Sequence, residues 1–577
     1  FTGFYTKRLR RLFPALIFTL LAVLAAGYFL FNPSNFERLG QSSIFASLSV
    51  SNFFFWTEAG YFDPEAGTKP LLHMWSLSLE EQFYLFWPLV LVLIGKYLRK
   101  ATFLIIALLA MASLFFAEWY LAEDPSAAFF LIPFRMFEFL LGALCIWVED
   151  LFRRKHNALL EGIFLLGIFL ILYSSATLDK TTPMPGLYSM VPVLGSMLVV
   201  IGGPARILSW ILKNKPIEYI GKSSYSIYLV HWPIIVFYKY WTLESLTPIV
   251  QVVIGVGSII LGLLMWKFIE NTFRYRKVKR TKIDPVWFTI PTLLIGIVSM
   301  SGFVWKSEGV PSRYNDQLFM PNSEILKTRK RYFNEYTSNT DFLEGKPAKG
   351  HILIMGNSHS IDLIYALREN GYEGKITALR TLGKCFNFGE SSLDEDAVAC
   401  KEQKEENLAN DNWAKVDAIY LHDNWPNWDV EGLRRILKRI RTLSNAPIFV
   451  FGPKMTYKSP IPEIVRKTGS VLPDSINAKA DAYAWRIYKT SISDATWREI
   501  RKMTYAEDQI LFINVLEIQG GLHRDKFEVI SRRDLKFLYF DTGHFTKDGA
   551  RQFGAKMKKV YPYLFDMELM KIECPDE

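Results

Sequence analysis

The 577-residue chain is poor in the residues that build metal and redox sites, with four cysteines and eight histidines. No Cys/His spacing matches a zinc site, so no metal is expected. It carries no RNA- or DNA-binding motif, so its formal charge of +10 needs another explanation than nucleic acid. Lys and Arg cluster in short loops between apolar runs, as cytoplasmic loops of membrane proteins do. No signal-peptide pattern opens the sequence. It starts on Phe1, and FTGFYTKRLRRLFPAL reads as the middle of a segment expected to continue upstream.

What the chain has in quantity is apolar sequence: 50% of its residues are hydrophobic and 15% aromatic. Up to about Trp305 these come in long runs, and beyond it the texture is that of a soluble protein. Runs of membrane-spanning length lie at about 11–31, 80–98, 102–121, 129–148, 158–174, 187–203, 223–240, 248–270 and 286–305. The loops KRLRR (7–11), KYLRK (96–100), FRRKH (152–156), 206–215 and RYRKVKR (274–280) are basic and should be cytoplasmic. AEDPS (122–126) and TLDKTTPMPG (177–186) lack that excess and should lie outside. These sides agree only if the shorter run 42–56, rich in Ser, Asn and Phe, does not cross. It reads as a re-entrant or interfacial piece, tolerated where protein buries it. Nine crossings result, and the C-terminal half is expected outside the cytoplasm.

Polar groups inside such runs are costly and invite a functional reading. Glu80 and Glu81 stand at the mouth of an apolar helix in HMWSLSLEEQFYLFWP, where plain solvation at the interface is the competing account. Arg135 and Glu138, three apart, share a helix face and suit either a structural tie or a polar cavity. His231 reads as a hydrogen-bonded core histidine. Arg8 and Arg11, a turn apart at a cytoplasmic helix entrance, make a fork suited to phosphate, or simply a topology signal.

In the soluble half, HILIMGNS (351–358), KITALRT (375–381), AIYLHDNW (418–425), PIFVFGP (447–453) and ILFINVL (510–516) read as strands, with LIYALRENG and VEGLRRILKRIRTL as helices between them. Alternation of this kind predicts a parallel sheet covered by helices, with ligands at the strands' carboxyl ends. GNSHS (356–360) follows the first strand, and DTGHF (541–545) lies near the C-terminus. Ser358, Asp541 and His544 make a candidate triad: a serine on a strand-to-helix turn, and a carboxylate three residues before an imidazole it can orient. His359, beside the serine, is not expected to be the base, since neighbours diverge from a turn.

FYTKRLRRLFPAL, LLHMWSLSLEEQFYLFWP, FRMFEFLLGAL, GKSSYSIYLVHWPI and FIENTFR occur in an order that resembles the family-three membrane acyltransferases. Those enzymes O-acetylate bacterial surface polysaccharides. The resemblance covers about 1–280 and implies acetyl-CoA as a cytoplasmic acyl donor near Arg8 and Arg11, a substrate with no bound cofactor besides. It also implies site roles for His73, Glu80, Gln82, Tyr84, Arg135 and Glu138. Family members begin with a helix bearing a catalytic histidine and then a second helix. Neither is in this sequence, and an N-terminally incomplete domain is the expectation.

The soluble half resembles the SGNH hydrolase and acyltransferase domain that often follows such a membrane domain. That likeness implies Ser358 as nucleophile, Asp541 and His544 as its partners, and Gly383 and Asn424 as oxyanion donors. Asn357 departs from the more usual Asp. The expected fold is thus an α-helical polytopic membrane bundle followed by an α/β SGNH-hydrolase-like domain, flavodoxin-like with a parallel sheet. Its divisions are a membrane acyltransferase domain at 1–280, a last transmembrane helix and linker at 281–345, and an extracytoplasmic SGNH domain at 346–577. In an oxidising compartment Cys385 and Cys400 should pair, adding about 3 kcal/mol on loop-entropy grounds. Cys145 reads as packing and Cys574 as free.

The expected activity is acetyl transfer, in a bacterial inner membrane with the last domain periplasmic. The donor is acetyl-CoA and the acceptor a hydroxyl of a cell-surface polysaccharide or lipid-linked glycan, O-antigen or similar. Peptidoglycan as acceptor, a membrane-anchored carbohydrate acetylesterase, and a transporter without an acyl-enzyme are the alternatives.

Overall fold

The computed structural model describes the chain except residues 1, 60–67, 153–156, 180–181, 206, 245, 276–283, 314–323, 325–326, 328–340, 382–384, 387–390, 393–396, 424–429, 469, 504–509 and 574–577. It divides into two compact units, Phe1–Phe31 with Asn35–Val310, and Asn32–Ser34 with Pro311–Glu577.

The first unit is helical: α1 (Thr2–Leu30), α2 (Pro33–Ser47), α3 (Ser51–Glu58), α4 (Met74–Tyr97), α5 (Thr102–Tyr120), α6 (Pro125–Phe130), α7 (Ile132–Phe152), α8 (Asn157–Thr177), α9 (Leu187–Gly202), α10 (Lys215–Thr242), α11 (Pro248–Met265), a π-helical turn Trp266–Glu270, α12 (Asn271–Arg274) and α13 (Val286–Lys306). All nine expected crossings fall on helices. Among the described residues, seven spans are long and apolar enough to cross a membrane by length and composition. α9 is apolar but shorter. α10 is long enough, but Ser223, Tyr225, Ser226, Tyr228 and His231 give it a polar character.

The run 42–56 is broken. α2 and α3 meet at Ser49, whose φ is +56°. Gln82 donates its amide to the Ser49 carbonyl at 3.0 Å and to Asn52 Oδ1 at 2.8 Å. Ser78 Oγ accepts the Ser51 N–H at 3.1 Å. Protein side chains therefore satisfy the interrupted backbone, as non-helical backbone at membrane depth requires. α8 and α9 pack closely because both are glycine at the crossing. A Cβ on Gly167 would lie 2.7 Å from the Val199 nitrogen, and one on Gly195 3.0 Å from the Gly167 carbonyl. α13 packs into the bundle: Val286, Ile290, Ile297 and Val304 are buried in the core that α1 and α10 build.

The second unit holds β1 (His351–Gly356), β2 (Lys375–Arg380), β3 (Cys385–Phe386), β4 (Ser391–Ser392), β5 (Ala418–His422), β6 (Ile448–Phe451) and β7 (Ile510–Ile513). The five long runs form one parallel sheet in the order β2-β1-β5-β6-β7, and β3 pairs with β4 as a small antiparallel ribbon. β5 and β6 are buried along their whole length, the pattern of a parallel sheet covered on both faces. The order in which successive strands are added reverses between β1 and β5, β2 lying on one side of β1 and the later strands on the other. That is the switch point at which α/β sheets open a crevice beyond the strands' carboxyl ends.

Candidate active site

β1 runs out at this switch point into Gly356, Asn357 and Ser358. Gly356 is required by space: a Cβ there would stand 1.8 Å from the His422 carbonyl oxygen on β5. Asn357 caps the helix Ser358–Glu369, its Oδ1 accepting the His359 N–H at 3.0 Å. An Asn or Asp at this position satisfies an amide the first helical turn leaves unpaired. Its Nδ2 donates to Asp423 Oδ1. An aspartate at 357 would set two carboxylates against each other, which accounts for the asparagine.

Ser358 is thereby held at the first residue of the helix, 8% exposed. Its Oγ lies 2.8 Å from His544 Nε2. His544 Nδ1 lies 2.8 Å from Asp541 Oδ2. Asp541 Oδ1 accepts the Gly543 and His544 N–H groups, both at 2.8 Å. Burial disfavours the Asp541 charge. The His544 charge and these hydrogen bonds outweigh it and hold the carboxyl well below the usual range. With Nδ1–H held by the carboxylate, Nε2 is free to accept the serine proton.

Behind this chain lies a buried polar layer. His359 points away from the serine and packs edge-on against His544, ring centroids 5.1 Å apart. Burial, then the Lys454 charge, push its pKa well below the ordinary value. Burial lowers His422 to about 4. It also lowers Lys489 to about 8, against the attraction of Asp423. Lys454 and Asp362 form an ion pair in which each side chain is 1% exposed. Asp362 Oδ1 also accepts the Phe545 N–H at 3.0 Å. Leaving one member of such a pair without the other costs about 3–5 kcal/mol. Sequence reading missed this layer. Asp362 was detectable as an acid one turn after Ser358, set between the apolar Ile361 and Leu363; nothing local marks Lys454.

Gly383 and Asn424, the expected oxyanion donors, lie outside the described residues, as do Cys574 and the side chain of Cys385. Cys400 is buried and disulfide-bonded. Cys145 is free and buried. No cluster of metal-binding side chains occurs among the described residues.

In the first unit the expected site residues disperse around α4. His73, Glu80 and Tyr84 share one face; Gln82 is turned to the α2–α3 break. The His73 ring lies 5.2 Å from Tyr228 and 5.6 Å from His231. Tyr228 donates its hydroxyl to the His73 carbonyl at 2.6 Å. His231 Nδ1 is 2.6 Å from the Tyr228 carbonyl, a hydrogen-bonded histidine. Glu80 and Glu81 are near enough to Arg8 to interact electrostatically. Arg8 and Arg11 both attract the Glu80 carboxylate, and each has a further partner of its own. The Arg8 guanidinium stacks 3.3 Å over the Tyr84 ring, while Arg11 lies 3.9 Å from the fully buried Glu270, which Arg274 approaches to 3.6 Å. Arg135 pairs with Glu138 at 2.9 Å and stands 5.2 Å from both Trp75 and Phe129 rings.

A parallel α/β sheet with a Ser–His–Asp chain at the end of β1 has the form of the SGNH class of serine hydrolases and transferases. Residues 328–559 match the family model described as the SGNH domain fused to acyltransferase-three domains, and residues 1–267 match the model described as the acyltransferase domain. The two matches place an acyltransferase-three domain and a fused SGNH domain in one chain. It is 31% identical over 287 residues to the peptidoglycan O-acetyltransferase OatA of Listeria monocytogenes, covering 47% of this chain and 46% of that one. It is 26% identical over 321 residues to O-acetyltransferase OatA of Staphylococcus aureus, covering 52% of this chain and 53% of that one. The chain thus spans about half the length of the curated relatives it matches. A lipopolysaccharide acetyltransferase periplasmic domain from Salmonella ser. Paratyphi A aligns with 41% of this chain and 98% of its own at 14% identity. Its TM-score of 0.32 is too low for that likeness to carry weight.

Proposed function

We propose that the chain is a multi-pass membrane O-acetyltransferase acting on a cell-envelope glycan. The observation that carries this reading is the hydrogen-bonded chain Ser358–His544–Asp541. The membrane unit takes the acetyl group from acetyl-CoA on the cytoplasmic side, where the basic loops lie, releases the CoA thiol there and passes the group outward to the SGNH domain. Ser358 Oγ attacks the acetyl carbonyl while His544 Nε2 takes its proton. The helix N-terminus at Ser358 favours the oxyanion. The tetrahedral intermediate collapses to an acetyl-serine as the bond to the group that carried the acetyl outward breaks, and that carrier departs with the proton from His544. A sugar hydroxyl, deprotonated by the same imidazole, then takes the acetyl group and restores the serine. Splitting the transfer in two lowers each barrier.

The names of the relatives favour peptidoglycan over the O-antigen-type acceptor expected from the sequence. Ser358→Ala in the full chain should abolish acetylation of the envelope glycan. Acetylation that persists unchanged rejects the reading. The same chain of residues also suits an esterase. The full chain, given an acetyl ester with and without peptidoglycan fragments, separates the two: hydrolysis indifferent to the acceptor favours the esterase.

A further inference from the structure

We propose that Asp362 is a positioning residue for acyl transfer: its carboxylate clamps the nucleophile helix to the loop that carries His544, with Lys454 as its counter-ion. The inference rests on Ser358 being the nucleophile.

Ser358 and His544 are 186 residues apart in sequence and must stay within one hydrogen bond. The loop closes on itself, since Phe540 N–H donates to the His544 carbonyl at 3.1 Å and Tyr539 bridges Phe545. Those bonds shape the loop without fixing it to the helix. Glu369 ties the far end of the same helix to Lys547 and Arg551, and Asp362, one turn beyond Ser358, makes the connection beside the reacting groups. One oxygen accepts the N–H of Phe545, the residue after His544, and the other binds Lys454 from the segment after β6. Three segments meet at one carboxylate: the nucleophile helix, the histidine loop and the end of β6. Lys454 also lies 4.4 Å from the Phe545 ring centroid and is drawn to Asp541.

A buried ion pair is a poor stabilising device, because removing both ions from water offsets their attraction, and apolar replacements are often neutral or better. Its use here is geometric. Misplacing a reacting group by about 1 Å can cost on the order of 100-fold in rate.

The test measures the serine acylation burst with 4-nitrophenyl acetate on the detergent-solubilised full chain, alongside thermal melting. Asp362→Leu combined with Lys454→Met removes both charges and the acceptor for Phe545 N–H. It should fold and melt somewhat below the native chain, because the Phe545 N–H loses its acceptor, yet acylate about 10–100-fold more slowly, with ester binding unchanged. Asp362→Asn combined with Lys454→Met removes the charges but keeps an acceptor oxygen, and should stay within about threefold of native. A native-rate burst from the Leu/Met pair overturns the clamp. So does an Asn/Met pair that melts normally but acylates more than about tenfold slower. Should the Leu/Met pair fail to fold, the Asn/Met pair decides alone by the same limits. A burst that survives Ser358→Ala overturns the nucleophile assignment, and the clamp with it.

Discussion

The two units treat polar residues in opposite ways. In the second, three groups from opposite ends of the domain converge into one hydrogen-bonded chain, with both links at 2.8 Å. In the first, the polar residues around α4 part into separate clusters, each tied to helices nearby. Arg135 has Glu138, Arg8 has the Tyr84 ring, Arg11 has Glu270, and Gln82 has the α2–α3 break. A crevice at a sheet's switch point exposes side chains to a substrate without leaving backbone unsatisfied. A polar side chain within a membrane-spanning bundle must first find a partner. The contrast is between one continuous hydrogen-bonded chain in the second unit and several smaller polar groupings in the first.

The largest expected effect tests the convergent chain. Asp541→Asn keeps the shape but loses the group that fixes the His544 tautomer, and acylation should fall by about 10⁴-fold with little change in melting. A loss under about tenfold in the burst assay would remove the distinction between the units.

Acid should come next, and it should act on the second unit. His422 has a folded pKa of about 4 against an ordinary 6.5, because burial disfavours its charge. Between those values the unfolded state binds more protons, so stability is full above about pH 6.5 and falls as pH drops toward 4, by about 3 kcal/mol at most. His359 is shifted in the same direction. Denaturant unfolding followed by hydrogen exchange over 351–573, at pH 7.5 and 4.5, measures this. Stability that is flat across that window would contradict a neutral histidine layer.

In the first unit, Gln82→Leu removes the donors to the Ser49 carbonyl and Asn52. Leaving such acceptors unpaired should cost about 1–3 kcal/mol, read as a lower melting temperature in detergent. The smallest effect is expected from Tyr84→Leu, which removes the ring beneath Arg8 and should cost about 0.5–2 kcal/mol. If it instead abolishes acetyl transfer while leaving the ester burst intact, the Arg8–Tyr84 pair handles substrate and the contrast between the units narrows.

The strands were legible because each is a short β-branched or aromatic run bounded by Gly, Pro or Asn, and the helical runs because their apolar length has few other uses. Ser358, Asp541 and His544 were legible because each sits in a local motif at a strand end or tight turn. Asp362 with Lys454, 92 residues apart, was not. Nor was Asn357 with Asp423, 66 apart. The further partners of Arg8 and Arg11, Tyr84 and Glu270, were not legible either, because helical spacing sets which face a residue shares, not which neighbour on another helix it meets.

By itself the sequence determined the elements and the reactive side chains, since hydrophobic periodicity and turn chemistry are local properties. Tertiary structure alone decided which charges meet and which carboxylate clamps the histidine loop. Contacts between distant segments arise when elements pack, and the cost of burying a charge can be assigned only once its surroundings exist.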